Sequence, residues 1–191
     1  MNLPRRIAAL FTNPKAEWAV IAAERGDVGS IARNYVALLA LIPAGCMLAG
    51  LGLTGGRFLG VAGIMTAVLG AAVSWVVALF SSIAAAVVID KVATVFKSDG
   101  DMTQAMKLVA YASTSVWLSG VFYLLAELSP LALGGVLWAI YLLYLGLPVV
   151  MKTPHAQVVP FLLVSILVIV AANIALRAVF AAFRIPYMGY Y

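Results

Sequence analysis

Residues 64–92 read IMTAVLGAAVSWVVALFSSIAAAVVIDKV. No ionisable side chain occurs over the 26 positions 64–89, and then Asp90 and Lys91 arrive together. A soluble core helix rarely runs so long without a charge, so the stretch reads as a bilayer span. Four-residue steps from Gly70 meet Ser74, Ala78, Ser82 and Ala86, all small, and end on Asp90. Small residues on one face let a second helix approach closely, which is how membrane helices associate. Half of residues 66–89 are Gly, Ala, Ser or Thr, so the row alone decides little. The polar tip is the more distinctive feature.

The rest of the chain agrees with a membrane reading. Of 191 residues 65% are hydrophobic and 10% charged, at a mean hydropathy of +1.10. A soluble domain carries about 25% charged residues. The net charge of +5 comes from 12 Lys and Arg against 7 Asp and Glu. So sparse a basic excess points to the anionic lipids of an inner membrane face; a nucleic-acid binder would present a dense basic face. Cys46 is the only cysteine, so no disulfide closes within the chain. After Arg5 and Arg6 the apolar run is five residues, shorter than a signal peptide needs, and insertion is expected to rely on the first span.

In order along the chain, residues 1–34 form an amphipathic helical segment. Leu3, Ile7, Leu10 and Phe11 share a face, and Asn13-Pro14 marks a restart. The segment either lies on the membrane, with Trp18 anchored at the headgroups, or packs as a hairpin on the rest of the protein. Residues 35–191 then form a domain of five spans, at about 35–53, 64–89, 111–128, 131–151 and 158–178. Pro43 is expected to kink the first span. The 32 apolar residues 58–89 exceed one bilayer crossing, and 58–63 are expected to form an interfacial entry. Asp101 with Gln104 fits a capping box at a helix start, and Ser113-Thr114-Ser115 marks a bend. The fold class is therefore all-α: five transmembrane helices preceded by an amphipathic N-terminal segment. Nine of the 12 Lys and Arg fall on segments that are cytoplasmic if the N-terminus is. The C-terminus is then outside.

Two sets of residues are candidates for function. Asp90 and Lys91 end the second span near Tyr111, at the start of the third, and Lys152 closes the fourth. With Lys97 and Lys107 they form an inner polar rim suited to anionic lipid or to a partner. An intramembrane seam is drawn from Ser74, Ser82, Tyr141, Tyr144 and Asn173, because a phenol or amide within a bilayer needs a hydrogen-bond partner. Such a seam either glues helices or lines a permeation path. No phosphate loop, zinc helix or Ser/His/Asp set occurs, and His155 is the only histidine. No catalysis, cofactor or metal is expected.

Several short pieces, taken as a set, resemble the Yip-domain family of Ypt/Rab-interacting membrane proteins, in particular its prokaryotic branch. They are NPKAEWAVI (13–21), IDKV (89–92), AYASTSVW (110–117) and YLLYLGLPVVMK (141–152). Ser115 stands where the family pattern usually has a proline, and the long polar arm of the eukaryotic members is missing. The resemblance implies a scaffold or membrane-organising protein, a homo-oligomer or a partner of other membrane proteins, in a bacterial inner membrane. Without the arm, a GTPase partner is not expected. The alternative function is a small transporter or channel using the seam between spans two, four and five.

Overall fold

A computed structural model describes residues 3–53 and 60–182. Residues 54–57, the first two positions of the expected entry segment (58–59) and the tail from 183 lie outside them. Every element among the described residues is helical.

Helices α1 (Leu3–Thr12) and α2 (Pro14–Ala23) form a hairpin. Asn13 caps α2 by accepting from the Ala16 N–H at 3.4 Å, with Pro14 at the first helical position, where its missing donor costs nothing. The hairpin packs on the protein, and Leu10, Trp18 and Ile21 are fully buried. Trp18 is therefore not a headgroup anchor. Its indole is closed in by Leu108 and by Gly146, where an added Cβ would stand 2.9 Å from two ring atoms. What the sequence alone left undecided is settled by Gly146, which gives the ring room to lie on the helix backbone.

The first crossing begins with a complete capping box, Asp27 and Ser30 each bonding the other's backbone N–H, at the short α3 (Val28–Ile31). A π turn over Ala32–Val36 and α4 (Ala37–Leu39) follow. The helix then breaks at Ala40 and restarts as α5 (Leu41–Leu53). The break places Pro43 in the first turn of α5, where no intrahelical donor is required of it. The Trp75 indole donates to the Ala37 carbonyl at this interruption, at 2.7 Å.

Helix α6 (Gly60–Ala93) is one unbroken element of 34 residues, about 51 Å at 1.5 Å per residue. This corrects the expected interfacial entry, because 60–63 are already helix. It also corrects the expected stop, because Asp90 and Lys91 sit inside the last turns. A 3-10 turn at Thr94–Phe96 and Lys97 in the left-handed conformation (φ 55°) end the helix. Gly70, Ser74, Ser82 and Ala86 of the small-residue row are buried and Ala78 is half-buried, so the row does face the bundle.

The expected third span, 111–128, is not a continuous helix. Helix α7 (Met102–Ala112) bends at Ser113 into α8 (Thr114–Ser119), which tightens into a 3-10 stretch at Gly120–Leu124. Leu125 is extended, and a second 3-10 stretch covers Ala126–Leu131. These pieces are short because the bundle closes around them. Residues 105–112 are all buried. Gly120 lies against Pro43, and Gly50 lies against the Tyr123 and Leu124 carbonyls, each too close to admit a Cβ. Ser115 donates to the Gly135 carbonyl at 2.8 Å. This hydroxyl thus ties α8 to its neighbour.

Helices α9 (Ala132–Val150) and α10 (His155–Ala182) complete the bundle. Four stretches are long and apolar enough to cross a bilayer: Val28–Leu51, Gly63–Phe96, Glu127–Val150 and His155–Ala182. The centre of the molecule is α7–α8 rather than α6, since α7 packs on α6, α9 and the N-terminal segments.

Candidate functional site

The densest buried polar chemistry lies where the hairpin meets α7. Arg6 is 7% exposed and its guanidinium bonds two carboxylates, Glu17 at 2.6 Å and Glu24. The turn at Asn13 places position 6 opposite about position 20 in the hairpin. Glu17 and Glu24 flank that point by one turn on each side of the same face. Arg6 also stands 5.5 Å from the centroid of Tyr111, within cation–π range. Burial works against its charge, but the Glu24 hydrogen bond and the fields of Glu24, Tyr111 and Glu17 outweigh that. The guanidinium is held above its ordinary pKa.

From Tyr111 the network runs inward. The Tyr35 ring meets it at 4.4 Å between centroids, and the Tyr35 hydroxyl hydrogen-bonds Thr114 Oγ1 at 2.7 Å. Tyr35 belongs to the π turn, a local change of helical register of the kind found at functional positions. On the other side Lys107, 3% exposed, donates through Nζ to the Glu24 carbonyl at 2.7 Å. Gln104 Nε2 donates to the Ala22 carbonyl at 3.2 Å. Only half of the expected capping box forms: Asp101 accepts from Gln104 N–H at 2.8 Å, while the Gln104 side chain is spent on the hairpin. The cluster latches α1–α2 onto α7 with charged groups that satisfy one another.

Of the four residues expected on an inner rim, Asp90, Lys91 and Lys152 lie in or beside the joined 97–101 and 151–154 loops, and Tyr111 turns to the hairpin. Asp90 pairs with Lys91 at 3.7 Å, and Gly100 lies against Asp90. Lys152, itself left-handed at φ 50°, pairs with Asp99 at 2.7 Å, and that bond raises the Lys152 pKa. Tyr111 belongs to the latch. Lys107 is not a rim cation, because α7 carries it under the hairpin. Two further bonds join the loops at 97–101 and 151–154, Asp99 N–H to the Met151 carbonyl at 2.9 Å and Ser98 Oγ to Thr153 Oγ1 at 2.9 Å. These loops and the hairpin occupy one end of the bundle.

The expected seam also divides. Ser74, Ser82 and Asn173 line a common cavity of about 430 Å³ between α6, α8, α9 and α10. Tyr141 and Tyr144 do not join it. Helix α9 turns Ala139, Leu142, Leu143, Gly146 and Leu147 inward, and that spacing leaves both tyrosines on the exposed face. Tyr141 instead meets Trp138, which stacks on Phe11. The cavity hydroxyls bond their own helix, Ser74 to the Gly70 carbonyl and Ser82 to the Ala78 carbonyl, as Asn173 does to Ile169.

Arg6, Glu17, Glu24, Tyr35 and Thr114 were not among the candidates from sequence, and Lys107 was placed on the rim rather than under the hairpin. The signal available for the first three was the hairpin arithmetic: a turn at 13–14, one buried cation, and two acids seven residues apart. Among the described residues no group of His, Cys, Asp and Glu could hold a metal ion. No curated protein and no solved structure matches the chain. The Yip1 domain does match, over residues 8–176, from inside α1 through every crossing to the last turns of α10. This apolar helical membrane protein belongs to the Yip1 domain family.

Proposed function

We propose that this chain is a non-catalytic membrane scaffold with five crossings, its N-terminus and the 97–101 and 151–154 loops cytoplasmic and its C-terminus outside a bacterial inner membrane. One observation carries the scaffold reading: the ionisable groups between the hairpin and α7 are spent on holding helices together. Arg6 and Lys107 together balance Glu17 and Glu24, and Lys107 closes onto the hairpin backbone, so none of these four faces a path through the protein.

Support for a third crossing comes from 102–124. Its 18 α-helical-rise residues and five 3-10 residues amount to at most about 37 Å, enough for a hydrocarbon core of about 30 Å. Irregular backbone at membrane depth is tolerated where protein buries it, and most of this stretch is buried. Asp90, Lys91, Lys97 and Lys152 supply the cytoplasmic end with charges suited to anionic lipid, and the exposed apolar flanks of α6 and α10 suit a second copy or another membrane protein. A GTPase is not part of the proposal.

The transporter reading has the shared cavity of Ser74, Ser82 and Asn173 in its favour. Proteoliposome flux separates the two. A scaffold gives background ion and solute flux, and flux in the parent protein that Asn173→Ala abolishes would refute it. Reporter fusions in the 97–101 loop and after Tyr191 test the orientation; a cytoplasmic C-terminal reporter sinks it.

A further inference from the structure

The cavity between α6, α8, α9 and α10 has a shape and polarity that the scaffold reading does not use. Along α6 its wall runs from Ser74 to Ala85, and along α10 from Ile169 to Arg177. At 1.5 Å per residue these walls are about 16 Å and 12 Å long. The space is thus an elongated slot parallel to the helices. It opens sideways where Val136 of α9 and Val170 and Ile174 of α10 line it while remaining exposed on the lipid-facing surface.

Its polar groups make few demands. Ser74, Ser81 and Ser82 donate their hydroxyls to carbonyls of their own helix, and Asn173 donates one amide N–H in the same way, so the three hydroxyl donors need no water in the slot. A hydrated ion would have to be resolvated by such groups, whereas a hydrocarbon chain asks nothing of them. The slot also carries one formal charge, Arg177, with Tyr123 beside it. Arg177 lies 22 residues into α10 from His155, about 33 Å from the Lys152–Asp99 end. It sits at headgroup depth on the opposite side of the bundle.

We propose that this slot is a specific site for one anionic glycerophospholipid, with an acyl chain between α6 and α10 and its phosphate on Arg177. Elongation matches an extended chain, the lateral mouth gives entry from the bilayer, and the cation at one end gives headgroup selection. The site lies at the end of the molecule away from the cluster of lysines, so it is separate from lipid contact at the cytoplasmic face.

The test uses the full-length protein in detergent, offered equimolar phosphatidylglycerol and phosphatidylcholine, and native mass spectrometry. The expected result is one retained phospholipid per chain, phosphatidylglycerol favoured about fivefold, the preference one surface cation confers. Arg177→Gln brings that ratio to parity with the lipid still bound. Ala78→Phe fills the slot and removes the lipid. An unchanged ratio in Arg177→Gln overturns the proposal even where Ala78→Phe fails to fold. So does retention of lipid by a folded Ala78→Phe, absence of any retained lipid in the parent, or a second copy of the chain held in its place.

Discussion

Trp18 decides whether the N-terminal hairpin belongs to the bundle or merely lies beside it. Its ring is fully buried against Leu108 and Gly146, so Trp18→Ala empties a site that the surrounding helices cannot close. Truncating a buried tryptophan costs about 3–5 kcal/mol. At 1.4 kcal/mol per tenfold, the undocked hairpin should become about two to three and a half decades more populated. Trp18→Phe should behave differently. The indole Nε1 is buried without a hydrogen-bond partner among the described residues, a condition costing about 1–3 kcal/mol that phenylalanine relieves. That gain offsets part of the lost ring, and the net change should stay within about 1.5 kcal/mol. Gly146→Ala attacks the same contact from α9, since its Cβ would lie 2.7 Å from Leu108 Cδ1 and 2.9 Å from the indole. Leu108 can swing away and the indole cannot, so about 1–3 kcal/mol of overpacking is expected. The double variant Trp18→Ala with Gly146→Ala should cost less than the sum, because the clash disappears with the ring. Hydrogen exchange of the α2 amides reads the opening free energy directly. Unchanged α2 exchange in Trp18→Ala would refute the docked hairpin, as would a Trp18→Phe variant as damaged as Trp18→Ala.

Three further outcomes follow from the same end of the molecule. Arg6→Met leaves Glu17 and Glu24 close together without their cation. Because Glu24 is 39% exposed, the cost should be about 1–3 kcal/mol rather than the 3–5 of a fully buried pair, read as faster exchange in both α1 and α2. Thr153→Val removes the buried Ser98–Thr153 bond and should lower the melting temperature in detergent by an amount worth about 1 kcal/mol. A variant with an unchanged melting point would show that the two loops are not coupled through that bond. Asp27 is held below its ordinary pKa of 3.8, first by the Ser30 backbone N–H and then by its hydroxyl. Its contribution to the α3 start is therefore fully present above that value and is lost as pH falls through the lower folded one. Asp27→Asn keeps a cap but should flatten the acid dependence of α3 exchange; an identical acid profile would count against it.

What the sequence made legible was local. Helices α6 and α10 are longer than a bilayer requires and α9 about as long as one crossing, the Asn13-Pro14 cap and the Ser113 bend are written in adjacent residues, and each was readable without knowing any partner. The parts that were missed depend on residues far apart in the chain. Trp18 reads as an interfacial aromatic until Gly146, 128 positions later, supplies the flat backbone that receives it. Tyr141 reads as a buried phenol until the inward spacing of Ala139, Leu142 and Gly146 turns it outward. Hydropathy also overstated the third span, because a segment sheathed by protein is as apolar as one facing lipid. Its glycine contacts distinguish the two cases. Gly120 against Pro43, Gly50 against the 3-10 carbonyls and Gly135 against Ser115 all bring backbone to backbone around α7–α8. Such contacts are what allow a bent, partly 3-10 segment to sit among helices, since a side chain at any of the three would push the neighbouring element off the unsatisfied turns. The small residues that matter most to this fold are thus the scattered glycines around the broken crossing, more than the regular row on α6.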